Sequence, residues 1–128
     1  MNKAIALELG KYYHIYNRGN NRENIFREER NYLYFLRLYA KYIEPVADTF
    51  AYCLLRNHFH LLVRIKTSQV SETSEVLLES RKVMQQFSNL FNAYAKAINK
   101  AYGRTGSLFQ ERFGRIEVGG DRHFAALI

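Results

Sequence analysis

The stretch from His58 to Lys66 constrains the fold more than any other part of the chain, because apolar and polar residues alternate along it. Successive side chains of a β-strand point to opposite faces of the sheet. One face of this strand would carry four apolar side chains, Phe59, Leu61, Val63 and Ile65. The opposite face would carry His58, His60, Leu62, Arg64 and Lys66. The pattern therefore predicts a sheet with one face covered by helices and the other left for a ligand.

The patterns on either side place this strand in a larger order of elements. The predicted elements are a strand at 11–18, a helix at 28–43, strands at 48–55 and 58–66, a helix at 75–102 and a strand at 107–118. Ser74 is the predicted cap of the second helix, and a further helix is predicted to begin at Asp121. The β-α-β-β-α-β order predicts an α+β, ferredoxin-like (split βαβ, RRM-like) fold with both helices on one face of an antiparallel sheet. The 128 residues suit a single domain, 1–128.

The single cysteine and the absence of targeting signals indicate a setting for the protein. Cys53 cannot form an intrachain disulfide, and its apolar surroundings predict a small buried side chain. No apolar run reaches the length of about 20 residues that a membrane span needs. Neither is a signal peptide recognisable at the N-terminus. We therefore expect a cytoplasmic protein that does not enter a membrane.

His58 and His60 form the sharpest candidate site. Side chains at positions i and i+2 of a strand leave the same face, about 7 Å apart at the backbone. Two neutral imidazoles so placed can bind one divalent cation. A pair of surface or hydrogen-bonded histidines without a metal explains the same spacing. The continuation of this face to Arg64 favours a cation site beside a phosphate backbone. His14, on the first strand, is interpreted as a packed or surface residue rather than a functional one.

The charge balance points to a polyanionic partner. Lys and Arg number 19 against 12 Asp and Glu, a formal charge of +7, which favours nucleic acid, although an anionic membrane surface fits the charge alone. The candidate DNA-binding residues are Arg18, Arg22, Arg64, Lys96, Lys100, Arg104 and Arg112. Lys96, Lys100 and Arg104 recur every four residues, which predicts one side of the second helix. Each group also has a structural alternative. The helical row could be a solvated polar face, and Arg18 could brace the first turn. Arg112 could form an ion pair with Glu111 or Glu117.

Three blocks of the sequence resemble those of REP-associated tyrosine transposases and related single-strand insertion-sequence transposases. The blocks are YHIYNRGNNRENIF at 13–26, AYCLLRNHFHLLVR at 51–64 and GRTGSLFQERFGRIEV at 103–118. The block at 51–64 resembles the His-hydrophobic-His segment that names the HUH superfamily. The blocks stand in family order, and the resemblance as a whole covers nearly all of the chain.

The resemblance implies a metal-dependent reaction on single-stranded DNA. His58 and His60 would hold Mg²⁺ or Mn²⁺, and a tyrosine would cleave and rejoin strands through a 5′-phosphotyrosine intermediate. The family recognises DNA hairpins. Its members include homodimers that exchange the tyrosine helix and monomers with a complete site, so the resemblance leaves the oligomeric state open.

The expected nucleophile is where the sequence departs from the family. The family carries this tyrosine on the helix that follows the last strand, with a polar residue four positions later as the expected third ligand. No tyrosine follows Tyr102 here. We therefore expect the nucleophilic tyrosine to lie beyond Ile128, in a chain that is C-terminally incomplete. Tyr94 is the internal candidate, although it shares the apolar stripe of Phe87, Phe91 and Ile98.

Two other functions stay open at this point. One is a nucleic-acid-binding module without catalysis, a remnant or domesticated copy that keeps the basic surface. The other is a metal-dependent hydrolase unrelated to DNA, but the strand alternation places no carboxylate convincingly beside the two histidines. As it stands, a chain without the nucleophile would be inactive, so whether it is an enzyme is not decided by the sequence.

Overall fold

The computed structural model describes residues 5–67 and 73–119. The elements are β1 (Tyr12–Arg18), α1 (Glu29–Tyr42), β2 (Ala47–Leu55), β3 (His58–Ile65), α2 (Thr73–Ala101) and β4 (Gly114–Glu117). They follow the predicted order. The strands form one antiparallel sheet in the order β2-β3-β1-β4. This α+β arrangement is the predicted ferredoxin-like fold. Within the described ranges no helix is long and apolar enough to cross a membrane.

The core lies between the two helices and one face of the sheet. On β3, Phe59, Val63 and Ile65 are fully buried and Leu61 nearly so. The predicted stripe of α2 is buried in the same cluster; it consists of Val83, Phe87, Leu90, Phe91, Tyr94 and Ile98. The prediction that one face of β3 carries the core is therefore confirmed. Leu62 points to the other face and is nevertheless 4% exposed, so the second face is partly covered as well.

The first helix begins at a capping arrangement that also involves the second helix. The Asn31 side chain accepts hydrogen bonds from the backbone N–H groups of Arg27 and Glu28, at 2.8 and 2.9 Å. The Glu28 side chain accepts in return from the backbone of Asn31. Such reciprocal bonds satisfy amides that a helix start leaves unpaired. The hydroxyl of Tyr102 donates to the Glu28 carboxylate and lowers its pKa, which ties the end of α2 to the start of α1.

The final strand is shorter than the sequence predicted. Only Gly114–Glu117 form β4, and the predicted part before it is irregular except for a bridge between Gly19 and Phe109. Leu108 and Phe109 are both buried. Consecutive buried side chains cannot alternate between the faces of a sheet, so this stretch packs into the core instead of pairing along its length.

Two further expectations need correction, and one falls outside the described residues. Cys53 is exposed, not buried. It lies on the edge strand β2 opposite His60, on the sheet face opposite α1 and α2. Because α2 already begins at Thr73, Ser74 lies inside the helix and is not its cap. The helix expected from Asp121 lies outside the described residues.

Candidate metal and nucleic-acid site

His58 and His60 project from the face of the sheet opposite the core helices α1 and α2. Both side chains are half-buried, and the centroids of their rings are 5.2 Å apart. Register partners on neighbouring strands share a face, so Arg18 and Tyr16 on β1 lie beside the two histidines. The structure therefore brings the predicted pair together on the predicted side of the sheet.

Each imidazole is oriented by a hydrogen bond at Nδ1. Nδ1 of His58 lies 2.7 Å from Oδ1 of Asn57, and because an amide oxygen only accepts, Nδ1 carries the proton and donates. Nδ1 of His60 lies 2.8 Å from Nε2 of His14. If Nδ1 of His60 carries the proton of this hydrogen bond, Nε2 of both His58 and His60 keeps its lone pair. Hydrogen bonds of this kind commonly orient metal-ligating histidines.

The surroundings of His60 favour a neutral ring. Burial lowers its pKa, and the electrostatic influence of the neighbouring His58 and Arg18 lowers it further. A metal ligand must present an unprotonated nitrogen, so a lowered pKa suits this role at neutral pH.

The donor set fits a divalent cation in part. Two imidazoles with free Nε2 lone pairs are suitable ligands for Mn²⁺ and similar ions. His14 does not complete a set of three metal ligands, because its Nε2 is hydrogen-bonded to Nδ1 of His60. That nitrogen is on the side of the His60 ring opposite to the Nε2 that would bind the metal. Across 5–67 and 73–119 no group of three His, Cys, Asp or Glu side chains is placed to hold a metal. The described residues thus offer two protein ligands.

The histidine pair lines a cleft of about 450 Å³ that also contains arginines. Its lining residues are Tyr16, Asn17, Arg18, Arg22, Asn57, His58 and His60. Two guanidinium groups beside two imidazoles form a site suited to a phosphate group. Among the candidate DNA-binding residues, Arg18 and Arg22 are therefore the ones that share a cleft with the predicted metal ligands.

The turn that carries Arg22 has an unusual backbone. Arg22 has φ of +61° and Asn21 has φ of +55°, a left-handed conformation that costs energy for residues other than glycine. Gly19 permits the tight turn for a different reason: a Cβ at this position would lie 2.0 Å from the carbonyl oxygen of Glu23. The backbone N–H of Gly19 also donates to the carbonyl of Asn57 at 2.9 Å, which joins this turn to the start of β3.

The remaining basic candidates do not join the cleft. Arg64 lies on the same sheet face as the histidines but farther along β3. Lys96 and Lys100 are exposed on α2, in the layer on the other side of the sheet. Arg112 is exposed, and the proposed partner Glu117 instead pairs with Lys11 at 3.4 Å. For these residues DNA binding stays a prediction.

Arg104 is a structural residue. It does not continue the helical row predicted with the two lysines, because α2 ends at Ala101. Its side chain is only 10% exposed and pairs with the carboxylate of Glu23, whose pKa it lowers. The same guanidinium donates to Oδ1 of Asn99 and to the carbonyl oxygens of Gly106 and Ser107. All five of its N–H groups are used within the chain, which leaves none for DNA.

Tyr94 is a core residue and not an available nucleophile. Its side chain is fully buried and its hydroxyl donates to the carbonyl of Ile25 at 2.6 Å. Burial also raises its pKa far above the ordinary tyrosine value. A nucleophile must reach the phosphate and ionise, and this environment opposes both.

Three residues beside the histidine pair, His14, Tyr16 and Asn57, were not predicted to belong to the site. His14 was interpreted as a packed or surface residue, yet it contacts His60, and Asn57 was not predicted as a site residue although it contacts His58. Tyr16 lies over Gly114, where a Cβ would come within 2.1 Å of the tyrosine Cζ. The only signal for these residues was their position: His14 and Tyr16 alternate on β1 as the histidine pair does on β3.

Comparison with solved structures supports the fold. No family model matches the chain, and no curated protein matches its sequence. The chain is similar to a REP-associated tyrosine transposase bound to a REP hairpin, with a TM-score of 0.59 and 15% identity over 99% of this chain and 67% of that one. It is also similar to a proposed transposase of Deinococcus radiodurans R1, with a TM-score of 0.54 and 13% identity over 99% of this chain and 92% of that one. At these identities the likeness shows a shared fold.

Proposed function

We propose that this chain is the body of a transposase-like protein that cleaves and rejoins single-stranded DNA beside a hairpin. The observation that carries the proposal is the placement of His58 and His60, each held at Nδ1, in a cleft that also contains Arg18 and Arg22. The similarity in fold to a transposase bound to a DNA hairpin supports the same choice of substrate.

The residues of the cleft have separate parts in the proposed reaction. Arg18 and Arg22 bind the phosphate backbone and fix the register of the strand. His58 and His60 would hold a divalent cation, Mg²⁺ or Mn²⁺, which when bound would stabilise negative charge on the phosphoryl oxygens. Asn57 and His14 keep the two imidazoles in the tautomer that leaves Nε2 available.

The covalent step conserves the phosphodiester. A tyrosine oxygen bonds to the phosphorus, the bond to the 3′ oxygen breaks, and the phenolic proton is lost as the 3′ oxygen gains one. The products are a 5′-phosphotyrosine and a free 3′-OH. Attack by another 3′-OH reverses these changes and joins a new strand, so no external energy source is required. Tyr94 is not this tyrosine, and the expectation that it follows Ile128 stays a prediction.

The proposal is tested with the native gene product and a single-stranded hairpin oligonucleotide in the presence of Mn²⁺. We expect a denaturation-resistant protein–DNA adduct, whose tyrosine is identified by peptide mass spectrometry. His58→Ala and His60→Ala should abolish the adduct while the far-UV circular dichroism stays unchanged. Hairpin binding without any adduct would contradict catalysis and support a non-catalytic binding module.

A second measurement distinguishes a specific role of the cleft arginines in DNA binding from the effect of the protein's overall positive charge. Arg22→Ala should weaken DNA binding and reduce the slope of log K against log salt by about 1. Arg37→Ala removes the same charge from an exposed position on α1, outside the cleft, and serves as the matched control. Equal effects of the two substitutions would contradict the assignment of the cleft as the DNA site.

A further inference from the structure

We propose a second binding subsite on the sheet face opposite α1 and α2, where an unpaired base of the DNA strand stacks on the exposed ring of Phe50, which Tyr12 contacts edge-on. This inference rests on the proposed function, because it assumes that single-stranded DNA crosses the histidine cleft. We call the pair, together with Arg64, the aromatic platform.

The two rings of the platform come from different strands. Their centroids are 5.6 Å apart and their planes meet at 76°, an edge-to-face contact. Phe50 lies at an irregularity of β2 between Thr49 and Ala51, where the pairing with β3 shifts by one residue. Such a bulge re-aims a side chain. Phe50 is consequently 53% exposed while its ring contacts Tyr12 on the sheet face opposite α1 and α2.

A cation accompanies the aromatic rings. Cζ of Arg64 lies 6.0 Å from the centroid of the Tyr12 ring, and these two residues are register partners on β1 and β3. Aromatic rings beside a guanidinium on the face of an antiparallel sheet are a common combination for holding unpaired bases. Asp48 is the other register partner of Arg64, so the local positive charge is reduced. We therefore assign the platform mainly to stacking rather than to phosphate attraction.

The platform is continuous with the histidine cleft. Arg64 follows His60 by four positions on the same strand, which corresponds to about 13 Å. His60 and Arg64 also share a face. A strand whose phosphate lies at the histidines would therefore place a base on the platform a few nucleotides away. Neither ring of the platform contributes to the lining of the cleft, so the subsite is separate from it.

Tyr52 provides a matched control. It is an aromatic residue on the same strand and is 58% exposed, close to the value for Phe50. Its register partner is Leu61, which belongs to the core, so Tyr52 lies on the helix side of the sheet. The two residues thus differ mainly in the face that they occupy.

The test measures affinity and contact with single-stranded oligonucleotides that extend from the hairpin. Phe50→Ala should weaken binding at least about fivefold, the loss expected for one stacked base, without changing the salt slope. Phe50→Trp should retain the affinity, and Tyr52→Ala should leave it unchanged. Oligonucleotides with 5-iodouracil at successive positions, irradiated and mapped by mass spectrometry, should cross-link to Tyr12 or Phe50 from one position only.

The outcomes separate this inference from the proposed function. If the wild-type protein binds the strand in a manner that depends on Arg22, but Phe50→Ala and Tyr52→Ala behave alike, the platform is refuted and the cleft stands. Cross-links confined to residues other than Tyr12 and Phe50 would likewise refute the platform and leave the cleft assignment intact. If the folded wild-type protein binds no single-stranded DNA at all, both proposals are refuted together.

Discussion

Replacement of Tyr94 by Phe distinguishes a core tyrosine from a catalytic one. Its ring packs among Phe26, Phe35 and Phe109, with centroid distances of 5.5, 5.2 and 6.1 Å. Its hydroxyl makes a 2.6 Å hydrogen bond to the carbonyl of the fully buried Ile25. The substitution keeps the ring and deletes only this donor, so the change in stability reports on the hydrogen bond alone.

The expected magnitude follows from the environment. Removal of one partner from a buried pair leaves the carbonyl of Ile25 without a donor, which costs about 1–2 kcal/mol. For a domain of this size the melting temperature should fall by roughly 5 °C. Tyr94→Ala also opens a cavity in the aromatic cluster and should cost about 3–5 kcal/mol.

Urea denaturation followed by circular dichroism measures both variants against the wild type. Tyr94→Phe should lower the transition midpoint with an unchanged slope. In the adduct assay with the native gene product the same variant should behave as the wild type, at a temperature where both are folded. Unchanged stability together with loss of the adduct would refute the assignment of Tyr94 to the core and identify it as the nucleophile.

Three further predictions concern single residues. Burial raises the pKa of Tyr39 to about 12, so between about pH 10 and 12 this hydroxyl ionises in the unfolded chain before it ionises in the folded one. The free energy of unfolding should therefore fall as pH rises through this window. Urea titrations at pH 8 and pH 11 should show a smaller fall for Tyr39→Phe than for the wild type. His14→Phe keeps a ring but removes the nitrogen that contacts His60, and should weaken Mn²⁺ binding about tenfold by calorimetry; an unchanged affinity would remove His14 from the site. Gly19→Ala places a Cβ against the carbonyl oxygen of Glu23 and should cost about 2 kcal/mol in urea unfolding, whereas a neutral result would show that the turn readily relaxes.

Features with a local period were predictable from the sequence. The alternation along β3 depends only on the pleat of a strand, and the buried stripe of α2 depends only on helical spacing, so both were predicted correctly. The same alternation was sufficient to put His58 and His60 on one face.

Features set by tertiary contacts were not predictable in this way. Arg104 matches a helical row of cations in sequence, but its partner Glu23 is remote and becomes visible only in the folded chain. Cys53 lies in an apolar run, yet its exposure depends on β2 being an edge strand. His14 reaches His60 through the pairing of β1 with β3, which no local pattern specifies.

The ion pair between Glu23 and Arg104 affects the order in which parts of the protein can fold during synthesis. The two residues are 81 positions apart, and the carbonyl of Arg18 likewise accepts from the amide of Gln110. During synthesis the hairpin of β2 and β3 can form early from neighbouring residues, whereas the loop around Arg22 must wait for the last third of the chain to emerge from the ribosome. The arginine cleft is thus completed late, and a nascent chain halted before residue 104 would lack both the Glu23–Arg104 ion pair and the Arg18–Gln110 hydrogen bond.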